Sequence, residues 1–205
     1  MSGSRERSRR ELLTGWFDAV RSAAGGRRPT SRPSPDEVLR PPGALKPDEA
    51  FLEACSGCGD CIPVCPTSSI IALERQDGRL VPVISPSLKP CYLCDDLPCI
   101  AACPDGALVD PGGAQRVRLG IAKVEPKRCV TFRGQICRDC YTACPYPDRA
   151  IMLIGGRPLV GSGACTGCGL CEFACPEHPK AIHVIAERNL VPGLRIPRDE
   201  SNRGG

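Results

Sequence analysis

The chain has 205 residues, of which only 4% are aromatic, while 22 are glycine, 22 proline and 16 cysteine. So few large side chains exclude a core held by aromatic packing alone and point to the cysteines as staples. The formal net charge of +4 is concentrated at one end and no basic groove with interleaved aromatics follows it, which argues against nucleic-acid binding; no run approaches the roughly 18 apolar residues of a membrane span.

Residues 1–32 hold eight arginines against Glu6, Glu11 and Asp18. Arg9 and Arg10 form a twin-arginine pair, but an export signal also needs an apolar stretch of about 7–15 residues, and Asp18 and Arg21 interrupt any such stretch. The expected compartment is therefore the cytoplasm, with Tat export as the alternative, and a reducing compartment disfavours eight disulfides. Residues 1–46, rich in Arg, Ser and Pro, read as a tail. Within it Leu12, Leu13, Trp16, Phe17 and Val20 fall at helical spacing, which suits either a short helix packed on its own domain or one that docks a partner. A basic tail also suits peripheral association with a membrane or a membrane protein.

In "KPDEAFLEAC", Pro47 with Asp48 and Glu49 predicts a short helix whose acidic first turn complements the helix dipole. Residues 47–187 read as one cysteine-rich domain. Two segments, "SIIALERQDGRLVPVI" and "AIMLIGGRPLV", each predict strand, tight turn and strand, with Asp77-Gly78 and Gly155-Gly156 at the turns. "GALV" and "AIHVI" predict further strands. Residues 188–205 are polar and read as a loose tail.

All sixteen cysteines fall into four groups, each ending in Cys-Pro. They are Cys55, Cys58, Cys61 and Cys65; Cys91, Cys94, Cys99 and Cys103; Cys129, Cys137, Cys140 and Cys144; and Cys165, Cys168, Cys171 and Cys175. The first and fourth groups follow C-x₂-C-x₂-C-x₃-C-P, the spacing of bacterial [4Fe–4S] sites, in which three close thiolates hold one cube and the fourth cysteine ligates its neighbour. Zinc usually takes two separated pairs and does not call for this triplet plus one. The expectation is four [4Fe–4S] clusters with the sixteen cysteines as iron ligands. Gly57 and Gly59, repeated as Gly167 and Gly169, are expected to let the backbone approach the cube and direct N–H groups at sulfur.

Groups one and four resemble each other, and groups two and three are both irregular, so a nested pairing of one with four and two with three is expected. It joins Cys175 to Cys55, Cys58 and Cys61, and Cys144 to Cys91, Cys94 and Cys99. Sequential pairing, one with two and three with four, is the alternative. The expected fold class is α+β: two bacterial-ferredoxin-like two-cluster modules, small and loop-rich, with short β-hairpins.

"LRPPGA", "PCYLCDDLPCIAACPDGAL" and "CVTFRGQICRDCYTACPYPDRAI" resemble the NapG/MauM-type polyferredoxins of periplasmic nitrate reductase and methylamine-oxidation systems. The resemblance runs from about Leu39 to Val184 and implies four clusters that pass electrons from a quinol-oxidising membrane partner toward a terminal enzyme. The start, "SRRELLTG", instead resembles the cytoplasmic ferredoxin-type maturation protein of nitrate systems.

No catalytic constellation is present. His178 and His183 have no serine and acid partners, and no phosphate-binding loop or dinucleotide fingerprint occurs. The expected role is electron transfer between donor and acceptor oxidoreductases, with no small-molecule substrate and no nucleic acid. The alternative is an assembly or interaction factor for a redox enzyme, with structural or sensing clusters.

Overall fold

The computed structural model describes residues 38–187. The helix predicted before the first cysteine is present as α1, Asp48–Ala54, with Asp48 and Glu49 in its first turn and Phe51 and Leu52 buried beneath it. Pro47 caps this helix rather than opening it. Both predicted hairpins are present: β1 (Ile70–Glu74) with β2 (Leu80–Ile84), and β4 (Ile151–Ile154) with β5 (Arg157–Val160). Gly155 and Gly156 both take the left-handed conformation, as a two-residue hairpin turn matched to strand twist requires. Short helices α2 (Pro98–Ala101), α3 (Asp139–Thr142) and α4 (Leu170–Ala174) each carry a cysteine.

One strand escapes the sequence pattern. β3, Gly120–Val124, pairs antiparallel with β6, Ile182–Ala186, so that Val124 faces Ile182 and Gly120 faces Ala186. Its inward residues are Gly120 and Ala122, too small to give a visible alternation of hydrophobicity. Conversely, the "GALV" strand is reduced to a single bridge, Leu108 opposite Ala44. Leu45 N–H donates to the Ala107 carbonyl (3.0 Å) and Val109 N–H to the Gly43 carbonyl (2.8 Å). The partner segment contains Pro41, Pro42 and Pro47, which have no N–H to extend a ladder.

The tail boundary at residue 46 needs correction. Val38, Leu39, Arg40, Pro41 and Ala44 are buried, and Leu39 exchanges both backbone hydrogen bonds with Ile84 at 2.8 Å. Arg40 is the anchor. Its Nε and Nη2 donate to the two carboxylate oxygens of Asp48 at 2.7 and 2.8 Å, and its guanidinium lies 4.9 Å from the centre of the Phe51 ring. Arg40 and Asp48 are 2% and 0% exposed. The Pro-rich composition misleads here because prolines in a packed extended segment look like prolines in a tail. The predicted helix around Trp16 and the tail from residue 188 lie outside the described residues.

Two apolar clusters form the core. The first gathers Val38, Leu39, Phe51, Leu73, Val83 and Ile84 with cysteines of groups one and two; the second gathers Ala122, Ile151 and Ile182 with cysteines of groups three and four. Tyr146 and Val184 pack against both.

Removing one member of a fully buried, bidentate ion pair leaves the other charge uncompensated. Asp48→Asn is expected to lower stability by roughly 3–5 kcal/mol, measured as the thermal midpoint of the cluster-loaded protein. The same change at the exposed Asp77 should leave that midpoint where it is.

Candidate metal centres

The antiparallel pairings decide which cysteines meet. The β1–β2 hairpin returns the chain so that Ile70 faces Ile84, and Cys65, just before it, is carried beside Cys91, just after it. Cys65, Cys91, Cys94 and Cys99 line one cavity, closed by Ile70, Ile84 and Leu97. The β4–β5 hairpin sets Ile151 against Val160 and does the same for Cys144 and Cys165. Cys144, Cys165, Cys168 and Cys171 line a second cavity with Ala122, Ile151 and Val184. The β3–β6 pair brings the entry to group three beside the exit from group four. Cys129, Cys137, Cys140 and Cys175 accordingly line a third cavity with Val124, Pro158 and Ile182. In the first half of the chain the Ala44–Leu108 bridge plays the part of β3–β6: the charges of Cys103 and Cys58 act on Cys55, and those of Cys55 and Cys58 act on Cys61.

Pairing is therefore sequential, and the nested expectation is overturned. Cys175 does not join Cys55, Cys58 and Cys61, nor does Cys144 join Cys91, Cys94 and Cys99. Similar spacing in groups one and four reflects equivalent positions in two modules rather than partnership. The hairpins between groups one and two and between groups three and four were legible in the sequence. Following their closure to the flanking cysteines would have given the pairing.

The four quartets follow one another in a row. Cys61 of the first quartet feels the charge of Cys99 in the second; Cys171 feels that of Cys140 in the last. At the centre, Cys91 N–H donates to the Cys168 carbonyl at 2.8 Å, so the second and third quartets touch through the ligand-bearing backbone itself. Gly169, next to Cys168, permits this closeness: it has φ +91°, and a Cβ there would lie 2.6 Å from the Pro86 Cβ. Two further glycines between ligands face neighbouring backbone: a Cβ on Gly57 would meet the Leu80 carbonyl oxygen at 2.6 Å, and one on Gly167 the Gly120 nitrogen at 2.2 Å.

Each cage supplies donors to its sulfurs. Backbone N–H groups two residues onward bond to Cys55 (from Gly57), Cys91 (from Leu93), Cys137 (from Asp139), Cys144 (from Tyr146) and Cys168 (from Leu170). Ser69 N–H reaches the Cys65 sulfur at 3.3 Å, and Ala122 N–H the Cys165 sulfur at 3.5 Å. The Thr131 hydroxyl lies 3.2 Å from the Cys129 sulfur. Of these donors the sequence points to the Gly57 N–H; the others it does not single out, although a threonine two residues after Cys65 and after Cys129 is a readable signal.

Burial works the other way. It pushes the thiols of Cys61 and Cys91 up to about 12 and those of Cys99 and Cys140 up to about 11, and raises Cys171 well above its ordinary value; neighbouring cysteines add to the effect. Burial also pushes Cys65 up, but the Thr67 hydroxyl and the N–H groups around it outweigh that and leave its thiol below the usual value. A bare set of thiolates is thus unfavourable in these cages, and a cationic metal centre is what would stabilise them.

The cages fit a cluster rather than a single ion. Tetrahedral zinc at about 2.3 Å from each sulfur draws its ligands into mutual contact. Among the described residues no three His, Cys, Asp or Glu side chains come together closely enough to hold one metal ion, yet three of the quartets surround cavities. All sixteen cysteines are free of disulfides.

The family described as the 4Fe-4S dicluster domain matches residues 54–107, a span that holds groups one and two together. Across nearly the whole chain the sequence is 36% identical to the methylamine utilization ferredoxin-type protein MauM of Paracoccus denitrificans, covering 90% of this chain and 90% of that protein. It is 37% identical to MauM of Methylorubrum extorquens (90% and 92%) and 36% identical to the ferredoxin-type protein NapG of Escherichia coli (93% and 90%). The chain belongs to the NapG/MauM family of ferredoxin-type proteins. It is an iron–sulfur protein with a dicluster domain and sixteen cysteines compatible with four clusters. Among the described residues no helix is long and apolar enough to cross a membrane.

Sequential pairing has a direct consequence for substitution. Cys103→Ala should disturb the centre held by Cys55, Cys58 and Cys61, and Cys175→Ala the one held by Cys129, Cys137 and Cys140. In each variant the other centres should keep their EPR signals, and the loss should amount to about four irons per chain.

Proposed function

We propose that this protein is an electron carrier with four [4Fe–4S] clusters, passing single electrons between a donor and a terminal oxidoreductase and having no substrate site of its own. The observation that carries the reading is the row of four cysteine quartets joined at its centre by the Cys91–Cys168 hydrogen bond. Each cluster, when bound, supplies a centre that gains or loses one electron. The chain's own residues do the rest. The four triplets and the Cys-Pro cysteines Cys65, Cys103, Cys144 and Cys175 are the iron ligands. Leu97, Ile84, Val124 and Ile182 keep water from the cages, which favours the less charged state, while the N–H and hydroxyl groups on sulfur favour the more reduced, more negative one. The balance of these two effects sets each potential.

The quartets differ in exposure: Cys58 in the first is exposed, whereas Cys165, Cys168 and Cys171 in the third are all buried. By their place at the two ends of the row, the outer quartets are the points of exchange with redox partners, and the inner two the connection between them. We assign the chain to the cytoplasm, with the arginines of residues 1–32 available to an anionic partner or membrane surface.

Anaerobically purified protein should hold about 16 irons and about 16 labile sulfides per chain, and reduction should give the EPR of interacting low-spin cubes. About eight irons would reduce the proposal to one two-cluster module, and zinc in their place would refute it. Chelating the iron should also collapse the circular dichroism of the fold, since the cages sit inside both apolar clusters.

A further inference from the structure

The two halves of the described body differ in charge. Residues 38–118 carry seven Lys and Arg against ten Asp and Glu, whereas residues 119–187 carry eight against six. With two clusters in each half, every oxidised [4Fe–4S]²⁺ cube and its four thiolates adding about −2, the row runs from a strongly acidic module to one only weakly acidic, about −7 against about −2. At the less acidic end the seven-residue gap between Cys129 and Cys137 folds as a 3₁₀ turn, Val130–Arg133, and then projects outward. Ile136, immediately before Cys137, is 97% exposed, and Ile154 at the β4–β5 turn is 61% exposed.

These residues frame a surface groove beside the last quartet, lined by Thr131, Ile136, Cys137, Arg138, Leu153 and Arg157. Its arginines are held by rings rather than by carboxylates. The Arg157 guanidinium lies 5.1 Å from the centre of the Phe132 ring and that of Arg138 5.9 Å from the Tyr141 ring. The acidic groups nearby are partly engaged: Glu177 accepts from Arg133 at 3.0 Å, and Asp148 from the Tyr141 hydroxyl at 2.8 Å. Asp139, next to Arg138, is exposed. A stacked arginine keeps its charge and a fixed direction, and is favourably placed to pair with a carboxylate on another protein. An unsupported isoleucine in such a ring of charge matches the apolar centre and polar rim of a protein interface.

We infer that this groove, built by the long first gap of group three, is a docking surface for an electron-exchanging protein with an acidic face. The inference rests on the electron-carrier reading above and names the partner chemistry at one end of the row. Docking here brings a partner's cofactor beside Cys137, a ligand of the terminal quartet, and electron tunnelling weakens steeply with distance. The strongly acidic module at the other end would attract a basic partner instead, so the charge difference distinguishes the two ends.

The test uses the cluster-loaded full chain and two heme proteins of opposite surface charge as probes, acidic cytochrome b5 and basic cytochrome c. Arg138→Gln/Arg157→Gln and Ile136→Asp variants are first checked for unchanged iron content and EPR. At low ionic strength each should slow the second-order reaction of the reduced protein with ferric cytochrome b5 by about tenfold or more, flatten its salt dependence, and remove the chemical-shift changes that the unaltered protein induces in ¹⁵N-labelled cytochrome b5. The reaction with cytochrome c should change less than about twofold, since it is steered to the strongly acidic module. Unchanged cytochrome b5 rates and shifts in fully loaded variants would overturn the docking surface, as would equal losses with both probes. Failure of the unaltered, loaded protein to reduce either heme would overturn the carrier reading itself.

Discussion

The last cysteine of each group, the one followed by proline, has to reach a cage made by a different loop, and the antiparallel register of short strands determines which. A hairpin that pairs Ile70 with Ile84, or Ile151 with Val160, returns the chain to its starting point within a few residues. Cys65 and Cys144 are thereby delivered to the loops that follow. The closing pairs, Ala44 with Leu108 and Val124 with Ile182, deliver Cys103 and Cys175 to the loops that precede. A one-residue slip in any of these pairs would turn apolar side chains away from the cage and shift a sulfur out of reach. Strand register and metal ligation are thus the same constraint stated twice, and the metal contributes to folding directly.

Joining two such modules into one row needs a contact closer than side chains allow. Gly169 against Pro86 leaves no room for a Cβ, and the Cys91–Cys168 hydrogen bond lies beside it. Glu172, buried in α4, accepts the Val184 N–H at 2.7 Å and fixes β6 to the helix that carries Cys171. Val184 packs against both apolar clusters. A polar peg and a shared aliphatic residue thereby hold the third quartet against the second.

Much of this was legible in the sequence because cysteine spacing and turn chemistry are local. The sixteen cysteines, both hairpins, α1 and β6 follow from residues close together in the chain. What was not legible is long-range. β3 hides because Gly120 and Ala122 are selected for closeness rather than for hydrophobicity. The segment from Val38 reads as a tail because its fixed points, Asp48 and Ile84, lie outside it. Likeness between groups predicts the wrong cluster partnership, because contact is decided by where each hairpin ends.

The central claim is that four quartets, paired sequentially, stand in one row. It is tested most directly by an iron anomalous-difference map from anaerobically grown crystals of the loaded protein. The account predicts four iron clusters, bounded in order by Cys55, Cys58, Cys61 and Cys103; by Cys65, Cys91, Cys94 and Cys99; by Cys144, Cys165, Cys168 and Cys171; and by Cys129, Cys137, Cys140 and Cys175. Iron density that joins Cys175 to Cys55, or that leaves any of the four quartets empty, would contradict it.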